Sequence, residues 1–525
     1  MASKALVLVL LFLEQSIPSE CAKILTVCLI GGSHYMLLDE ISHTFHERGH
    51  KVRMLLQMGT PIIKGLNYVG RPNSYQITQW SVSEEYIKEY NKWFFEKQKE
   101  FLQGRDSLSG YIHFMGQLAH QCDYLLGDSE LKESLKREKF DIALLDAFNP
   151  CSFLVAEWLG LPYVAFFPGN LLNVHQIALP SPLSYVPVYR SQLSDHMDFW
   201  GRTKNVLMFL CSSIAERHIQ APFHSVIQKH FRTDVQPSLS DLYRKAELWA
   251  FNTDFSLEFP QPLMPNTLLV GGLLSKPPEP VPQDLEEFIS KFGEAGFVVV
   301  TLGSMLSSVP LSELLQEMNA GFALIPQAVI WRYHHSQWPE DLQPAANVKL
   351  VEWLPQNDLL GHPSARLLVT HGGQNSLMQA VYHAVPVLGI PLFGDQFDNM
   401  VRAEVKGLGL ALEATELRRE GFARIMKRLI TDKRYKTSAL ALSVIHRSHP
   451  LSPGQRLEMW VEHILESGGG AHLRTYSLQQ PLYQQYLIDV ILVLVASLLL
   501  LLYTLIKIGR TVNRMIRNTG KLKSS

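Results

Sequence analysis

Residues 353–396 carry the side chains whose types and spacing best suit chemistry, in the string WLPQNDLLGHPSARLLVTHGGQNSLMQAVYHAVPVLGIPLFGDQ. Within it, the apolar run 366–370 has the length and β-branching of a buried strand. That run ends at His371, two glycines follow, and a helical pattern begins at Gln374. A strand, a glycine turn and a helix N-terminus predict an anion site, because free backbone N–H groups and the positive end of the helix dipole face the ligand.

The polar side chains around this turn would suit a diphosphate. Gly372 and Gly373 allow the backbone to approach a ligand closely, and Asn375 and Ser376 can cap the helix or donate to a phosphate. His371, if charged or donating, would neutralise the diphosphate. Taken alone, a strand, a glycine turn and a helix also fit an ordinary structural connection of an α/β fold.

A second apolar run, 385–390, predicts a strand that leads to Asp395 and Gln396 at the edge of a crevice. The ordered spacing of Trp, Gln, His, Asn-Ser and Asp-Gln over forty-four residues resembles the nucleotide-sugar box of the UDP-glycosyltransferase superfamily. The sequence is most similar to family 3 of the vertebrate UDP-glucuronosyltransferase branch. The alternative of a purely structural turn is weakened by the length of this match.

The resemblance implies a role for each matching position. Trp353 would lie against the uracil ring, since an aromatic face holds a flat base well. Gln356 would sit by the ribose, and Asp395 and Gln396 would hold the hydroxyls of the donor sugar. The full UDP-sugar-binding set that we predict is Ser304, Trp353, Gln356, His371, Gly373, Asn375, Ser376, Gln379, Asp395 and Gln396.

Gln379 departs from the family pattern. The superfamily usually has Glu at this position, and that carboxylate accepts hydrogen bonds from the ribose hydroxyls. Gln379 can still accept one through its carbonyl oxygen, but without the assistance of a charge. We therefore expect the donor to bind more weakly and the site to remain catalytically active.

The catalytic pair is expected in the first half of the chain. His34 follows the first predicted strand, 24–31, and its surroundings (GSH…RGH) match the catalytic-histidine region of the family. Asp146 follows a predicted strand at 142–145, where it could otherwise cap the next helix, a role that Asn149 could also fill. By resemblance Asp146 orients His34, whereas His43 and His46 are predicted to be solvated helix positions.

This pair suits general-base catalysis. A neutral histidine with a pKa near ~6.5 can take the proton of an acceptor hydroxyl as that oxygen attacks the anomeric carbon. A carboxylate on the other ring nitrogen selects the tautomer and stabilises the imidazolium. Attack opposite the leaving UDP inverts the sugar to a β-glycoside. We predict no metal and no cofactor, because the UDP-sugar is a co-substrate and the helix N-terminus stabilises the leaving anion.

The elements that must position these residues form two α/β units. Strand patterns alternate with helical patterns in both halves, which predicts parallel sheets with ligands at the carboxyl ends of the strands. The resemblance implies the GT-B fold, two Rossmann-like domains facing a cleft. The predicted boundaries are an acceptor-binding domain at 22–274, a proline-rich linker at 275–285 and a UDP-sugar-binding domain with C-terminal helices at 286–480.

Both termini predict targeting to a membrane. Residues 1–21 read as a secretory signal peptide. Residues 487–506 are apolar except for Asp489 near the start and a few small polar residues, and twenty residues at about 1.5 Å each span the roughly 30 Å of a bilayer core. The basic tail 507–525 has no acidic residue, which predicts a cytosolic tail and lumenal catalytic domains. Its last residues, KLKSS, resemble a dilysine retrieval signal, so we expect a single-pass type I protein of the endoplasmic reticulum.

Composition adds few constraints. The 525 residues carry a net charge of −1, which offers no reason to expect a nucleic-acid partner. An oxidising lumen permits a disulfide, but the cysteine spacing predicts neither a disulfide framework nor a metal site.

We therefore predict a transferase that conjugates small lipophilic acceptors at hydroxyl groups. Family 3 members are associated with neutral donors, and Phe393, if it borders the sugar 2-position, would disfavour an N-acetyl group by about 1–3 kcal/mol. UDP-glucose or UDP-xylose is favoured, and UDP-N-acetylglucosamine and UDP-glucuronate stay open. Two alternatives are a weakly active homologue that acts as an oligomeric partner, prompted by Gln379, and a single-pass receptor.

Overall fold

Two parallel sheets dominate the computed structural model, which describes residues 21–59, 75–102, 104–105, 107–171, 177, 179–231, 236–303 and 312–522. The first sheet has seven strands in the order β3-β2-β1-β4-β5-β6-β7, and the second has six in the order β10-β9-β8-β11-β12-β13. All of the pairings are parallel. The predicted pair of parallel α/β units is confirmed.

The strands are short, as expected for buried parallel sheets covered by helices. Those of the first sheet are β1 (Lys23–Cys28), β2 (Lys51–Gln57), β3 (Gln76–Trp80), β4 (Ile142–Asp146), β5 (Tyr163–Phe167), β6 (Leu248–Phe251) and β7 (Thr267–Leu269). Those of the second are β8 (Phe297–Thr301), β9 (Ala328–Arg332), β10 (Val348–Val351), β11 (Ala365–Thr370), β12 (Val387–Gly389) and β13 (Gly409–Ala411).

Helices connect and cover these strands. In the first half they are α1 (Ser33–Glu47), α2 (Glu84–Leu102), α3 (Leu108–Gly127), α4 (Ser129–Glu138), α5 (Pro150–Leu159), α6 (Phe199–His230) and α7 (Leu239–Lys245). In the second half they are α8 (Gln283–Ser290), α9 (Ser312–Phe322), α10 (Gln356–Gly361), α11 (Gln374–Tyr382), α12 (Gln396–Val405), α13 (Arg419–Thr431), α14 (Lys433–Arg447) and α15 (Pro453–Glu466).

Strand register brings the two predicted catalytic residues to one edge of the first sheet. β1 and β4 are adjacent, with Val27 paired to Leu145. Both chains therefore leave the sheet at the same edge, where β1 leads into α1 and β4 ends at Asp146. The predicted strand 24–31 is shorter than expected and ends at Cys28, because α1 begins at Ser33 and needs a connecting turn.

The last helix of the second half packs on the first sheet. The apolar side chains Leu457, Val461 and Ile464 of α15 lie in the same buried cluster as Leu38 and Phe45 of α1. α15 therefore completes the core of the first sheet. It follows the linker in the sequence and lies within the predicted UDP-sugar-binding domain, 286–480. The linker is also shorter in the structure than predicted, since α8 already begins at Gln283.

One disulfide, Cys122–Cys151, joins α3 to α5. Among the described cysteines, Cys28 is buried and free, while Cys21 and Cys211 are exposed and free. The spacing of the cysteines did not predict this pair, because the two residues meet only when the helices pack.

Residues from Arg474 onwards form a second compact unit. It contains α16 (Leu482–Gln485) and α17 (Ile488–Leu522), and the stretch Ile488–Ile516 is long and apolar enough to cross a membrane. The helix extends beyond the predicted span 487–506 into the basic tail. Lys and Arg are good helix formers, so the change in charge ends the apolar stretch without ending the helix.

Candidate active site

A cavity of about 840 Å³ contains groups from both sheets. It is lined by His34 from the first half and by the predicted donor residues of 353–396 from the second. Of the predicted UDP-sugar-binding set, the cavity lining includes Trp353, Gln356, His371, Gly373, Asn375, Ser376, Gln379, Asp395 and Gln396. Phe393, which was predicted to affect the choice of donor sugar, lines the cavity as well. Asp146 lies directly behind His34, and Ser304 falls outside the described residues.

His34 and Asp146 form a hydrogen-bonded pair. His34 Nδ1 lies 2.9 Å from Asp146 Oδ2, and the Asp146 side chain is only 1% exposed. Because a carboxylate only accepts, the Nδ1 of a neutral His34 carries the proton and Nε2 is left as a base. The backbone N–H of Phe148 donates to the other oxygen of Asp146 at 3.1 Å, which holds the carboxylate in place.

Asp146 does not cap the helix that follows it. The side chain of Asn149 accepts from the backbone N–H of Cys151 at the start of α5 instead. Asp146 is thus left to pair with His34, as the resemblance implied.

Aromatic side chains surround the pair. The Phe148 ring meets His34 edge-on, with 5.3 Å between centroids, and it also contacts Phe114 and Phe167. Further rings on α2, including Trp93, line the same cavity. This part of the cavity can hold a flat apolar molecule next to a base.

His43 corrects one expectation. It was predicted to be a solvated helix position, but it is only 4% exposed and lines the cavity. Its Nε2 lies 3.7 Å from Asp39, and its ring meets Tyr75 at 5.0 Å. The helical pattern of α1 alone could not show that its His43 face would be covered by the segment around Tyr75.

The predicted anion turn is built around the His371 ring. Gly372 adopts a φ of 84°, a conformation that favours glycine. The ring packs so closely on Gly303 and Gly373 that a Cβ at either glycine would lie within 2.7 Å of His371 Nε2. Burial, reinforced by the nearby charge of Arg332, lowers the pKa of His371 to about 4. His371 is therefore a neutral hydrogen-bonding group at pH 7.

The N-terminus of α11 faces the same turn. The helix begins at Gln374 after Gly373, and no side chain caps it. Asn375 does not cap the helix, because its Oδ1 accepts a 2.7 Å hydrogen bond from Asn252 in the first half. The uncapped N–H groups and the helix dipole favour an anion at this end.

Gln356, Ser376 and Gln379 form a connected polar group. Gln356 Nε2 donates to Ser376 Oγ at 3.1 Å and to Gln379 Oε1 at 2.8 Å. Gln379 Nε2 donates in turn to the carbonyl oxygen of Leu274 at 2.9 Å. Both polar ends of the buried Gln379 side chain are therefore already hydrogen-bonded.

Trp353 lies beside a cation that the sequence did not single out. Its ring is 42% exposed, which leaves a face for a ligand, and the guanidinium carbon of Arg332 lies 5.9 Å from its centroid. Arg332 ends β9, lines the cavity and has a buried Nε without a partner among the described residues. A cation directly after the apolar run 328–331 was the signal that could have identified it.

Asp395 directly precedes α12, Gln396 is the first residue of that helix, and both line the cavity. Burial raises the pKa of Asp395, and a hydrogen bond from Asn399 opposes that rise. Gln396 Oε1 accepts from the backbone N–H groups of Leu392 and Phe393. The Phe393 ring stacks on Phe101 of α2, with 4.7 Å between centroids.

The two parallel α/β units have the fold of the GT-B glycosyltransferases. Solved structures of that class support the fold. A Phytolacca americana enzyme whose structure contains UDP-2fluoro-glucose and pterostilbene matches 85% of this chain and 99% of its own length, with a TM-score of 0.58 and 18% identity. The calicheamicin glycosyltransferase CalG4 matches 84% of this chain and 98% of its own, with a TM-score of 0.59 and 17% identity.

Sequence comparison defines the family. The profile of the family "UDP-glucoronosyl and UDP-glucosyl transferase" matches residues 22–522. Bos taurus UDP-glucuronosyltransferase 3A1 is 48% identical over 97% of this chain and 96% of its own, and human UDP-glucuronosyltransferase 3A2 is 49% identical over 93% and 92%. The chain belongs to this family, and is a UDP-sugar-dependent hexosyltransferase most similar to its 3A members.

Proposed function

We propose that this enzyme transfers a sugar from UDP-glucose or UDP-xylose to a hydroxyl group of a small lipophilic acceptor, with inversion to a β-glycoside. The observation that carries the proposal is that His34, held by Asp146, and the donor segment 353–396 line one cavity. A receptor that only binds a ligand needs no such pair, which disfavours that alternative.

In the proposed reaction His34 Nε2 takes the proton of the acceptor hydroxyl. The acceptor oxygen forms its bond to the anomeric carbon as the bond from that carbon to the UDP oxygen breaks. Asp146 stabilises the imidazolium through the 2.9 Å contact at Nδ1. The carboxylate is buried and also held by the Phe148 N–H, so its orientation needs no adjustment during the reaction.

The leaving UDP gains negative charge, and the turn at His371 is suited to stabilise it. We propose that the N–H groups at the start of α11, the His371 ring and the Arg332 guanidinium carry this charge without a metal ion. His371 would act as a neutral donor, or become protonated when the diphosphate offsets the charge of Arg332.

The first half supports a lipophilic acceptor. Aromatic side chains from α2, α3 and the turn after β4 line the cavity next to His34, among them Trp93, Phe114 and Phe148. Flat apolar acceptors such as phenols and steroids would bury their rings there and present a hydroxyl to Nε2.

The donor preference rests on Phe393 and on the charge around the sugar end. Phe393 lines the cavity and its stacking on Phe101 limits its movement, so it would crowd an N-acetyl group at the sugar 2-position. UDP-glucuronate stays open, because Arg190 and Lys97 of the first half also line the cavity and could meet its carboxylate. The relatives' names include both an acidic and a neutral sugar, since some are glucuronosyltransferases and others are galactosyltransferases.

We propose residence in the membrane of the endoplasmic reticulum, with the catalytic part in the lumen and the basic tail in the cytosol. The apolar stretch Ile488–Ile516 and the basic residues that follow the predicted span 487–506 support a single-pass anchor of this orientation. The Cys122–Cys151 disulfide is consistent with an oxidising compartment.

A second candidate is a weakly active homologue that acts mainly as an oligomeric partner. The observation that favours it is Gln379, whose two polar ends both bond within the protein and whose side chain lacks the charge of the family's usual Glu. Such a protein would bind UDP-sugars weakly and release little UDP with any acceptor.

The test is UDP release by the purified full-length chain with a phenol or a steroid as acceptor. UDP-glucose, UDP-xylose, UDP-N-acetylglucosamine and UDP-glucuronate compete at one acceptor concentration, with Phe393→Asn as the matched variant. We expect glucose or xylose to be transferred fastest, and Phe393→Asn to improve transfer of N-acetylglucosamine. A preference for UDP-N-acetylglucosamine that Phe393→Asn leaves unchanged would refute the steric argument, and absence of turnover with all four would favour the second candidate.

A further inference from the structure

Asn399 on α12 is a buried asparagine that joins three parts of the site. It has no exposed surface. Its Nδ2 donates to Asp395 Oδ2 at 2.8 Å and to the carbonyl oxygen of Gly372 at 3.0 Å. Its Oδ1 accepts from Asn170 Nδ2 at 2.6 Å. The first two partners are acceptors only, so the amide group can satisfy all three contacts in one orientation.

The three partners come from separate regions of the chain. Asp395 is at the proposed sugar end, Gly372 is in the anion turn after β11, and Asn170 follows β5 in the first half. The first half approaches closely here, since a Cβ at Gly169 would lie 3.9 Å from Asp395 Oδ2. Asn399 thus connects the proposed sugar-binding carboxylate to the diphosphate turn and to the opposite sheet.

The neighbouring residue ties the same helix to the first half a second time. Asp398 accepts from the backbone N–H groups of Arg190 at 2.5 Å and Gln192 at 2.9 Å. Both Arg190 and Gln192 have positive φ values, of 65° and 52°, a conformation that non-glycine residues seldom adopt. The bonds to Asp398 help to hold this loop against the start of α12.

We propose that Asn399 is a positioning residue that orients Asp395 for the donor sugar, and that Asn170 makes this orientation depend on contact between the two halves. The inference rests on the proposed role of Asp395 in sugar binding. Asn399 restrains Oδ2 of the carboxylate, which leaves Oδ1 to accept a sugar hydroxyl. Without the amide, the carboxylate would lose a fixed donor and could rotate away from the sugar.

The proposal predicts that a variant of Asn399 changes the affinity for UDP-sugar without changing the affinity for UDP. UDP lacks the sugar that Asp395 holds, so a variant that only misorients Asp395 should bind UDP normally. A variant that damages the fold should weaken both ligands. Affinities for UDP and UDP-glucose, measured calorimetrically on the full-length chain, therefore distinguish positioning from general structural support.

Three single variants, one double variant and one control make the test. We expect Asn399→Ala and Asn399→Asp to weaken UDP-glucose about tenfold or more and UDP by less than about twofold, because neither replacement donates to Asp395. Asn170→Ala should show the same separation with a smaller loss, and the double variant should resemble Asn399→Ala alone. Asn319→Ala is the control, because the side chain of this buried asparagine bonds to the backbone of Gln343 and Ala345 and does not line the cavity.

The outcomes separate this inference from the proposed function. Equal losses of UDP and UDP-glucose in the Asn399 variants, as expected for Asn319→Ala, would overturn the positioning role. Normal binding of both ligands would overturn it as well. An Asn170→Ala variant identical to wild type would remove the link to the first half. If the wild-type chain itself bound UDP but bound none of the UDP-sugars, the proposed function would fail instead.

Discussion

At the residue scale, the His34 imidazole is the group on which the proposed chemistry depends. His34→Ala removes the base while leaving the donor segment untouched, and general-base catalysis is typically worth about 10²–10⁴ in rate. We expect turnover of a hydroxyl acceptor to fall by about 100-fold or more with UDP affinity nearly unchanged. Steady-state rates and UDP titration of the full-length variant measure both quantities, and near-normal turnover would exclude His34 as the base.

Asp146→Asn tests the partner of the base in the same assays. An amide at this position can donate to Nδ1 and so favour the wrong tautomer, which leaves Nε2 protonated. We expect a loss of turnover similar in kind to that of His34→Ala, and again no change in UDP affinity. Asn149→Ala is the matched control, because Asn149 caps α5 three residues away and does not contact His34. It should reduce stability more than turnover.

Gln379 is the residue at which this chain differs from the usual family pattern. Gln379→Glu would replace a neutral acceptor with a charged one, and the difference between such hydrogen bonds is about 1 kcal/mol. We expect UDP to bind about fivefold more tightly, the equivalent of that difference, and the folded chain to be less stable because the bond to the Leu274 carbonyl oxygen is lost. The gain should vanish with 2′,3′-dideoxy-UDP, which lacks the ribose hydroxyls. No gain with UDP would remove the reason for suspecting a weakened enzyme.

At the scale of elements, the junction of β11 and α11 holds His371 neutral. Burial lowers its pKa to about 4 from an ordinary value of 6.5, and burial likewise lowers the pKa of His383 at the end of α11 to about 4. Below pH 6.5 the unfolded chain binds protons that the folded chain does not. The stability that these groups contribute is therefore complete above pH 6.5 and is lost progressively as the pH falls towards 4.

The loss of stability at low pH can be measured. Between pH 7 and pH 5 the thermal stability of the full-length wild-type chain should decrease more than that of His371→Gln, because glutamine does not titrate. His383→Gln should reduce the decline independently. His335→Gln, at an exposed position, is the control and should follow the wild type. Identical pH dependence for wild type and His371→Gln would contradict a lowered pKa for His371 in the folded chain.

At the scale of the whole molecule, the topology of the anchor decides which compartment the cavity faces. Protease added to intact microsomes should trim only the basic tail after Lys507 and leave the large catalytic part protected. The reason is that basic residues concentrate on the cytosolic side of the predicted span. Digestion after detergent is the control for accessibility. Loss of the whole chain without detergent would show that the orientation is reversed.

The sequence was sufficient for those features that are local or periodic. The strands predicted at 142–145 and 366–370 match β4 (Ile142–Asp146) and β11 (Ala365–Thr370), because short, continuous apolar runs have few other stable conformations in a sheet. The helical pattern predicted from Gln374 is α11, and its apolar side chains Leu377, Ala380 and Val381 lie in one buried cluster. The family match also supplied the donor segment, since its residues lie within forty-four positions of one another.

Only the tertiary structure decided the features that depend on contacts distant in the chain. His34 and Asp146 are 112 residues apart, and their hydrogen bond exists because β1 and β4 are neighbours in the sheet. The burial of His43, the Cys122–Cys151 disulfide and the bond between Asn170 and Asn399 likewise follow from packing. Residue types and spacing determined what each group could do, whereas the folded arrangement determined which groups meet, because contacts between distant segments leave no periodic signal in either segment.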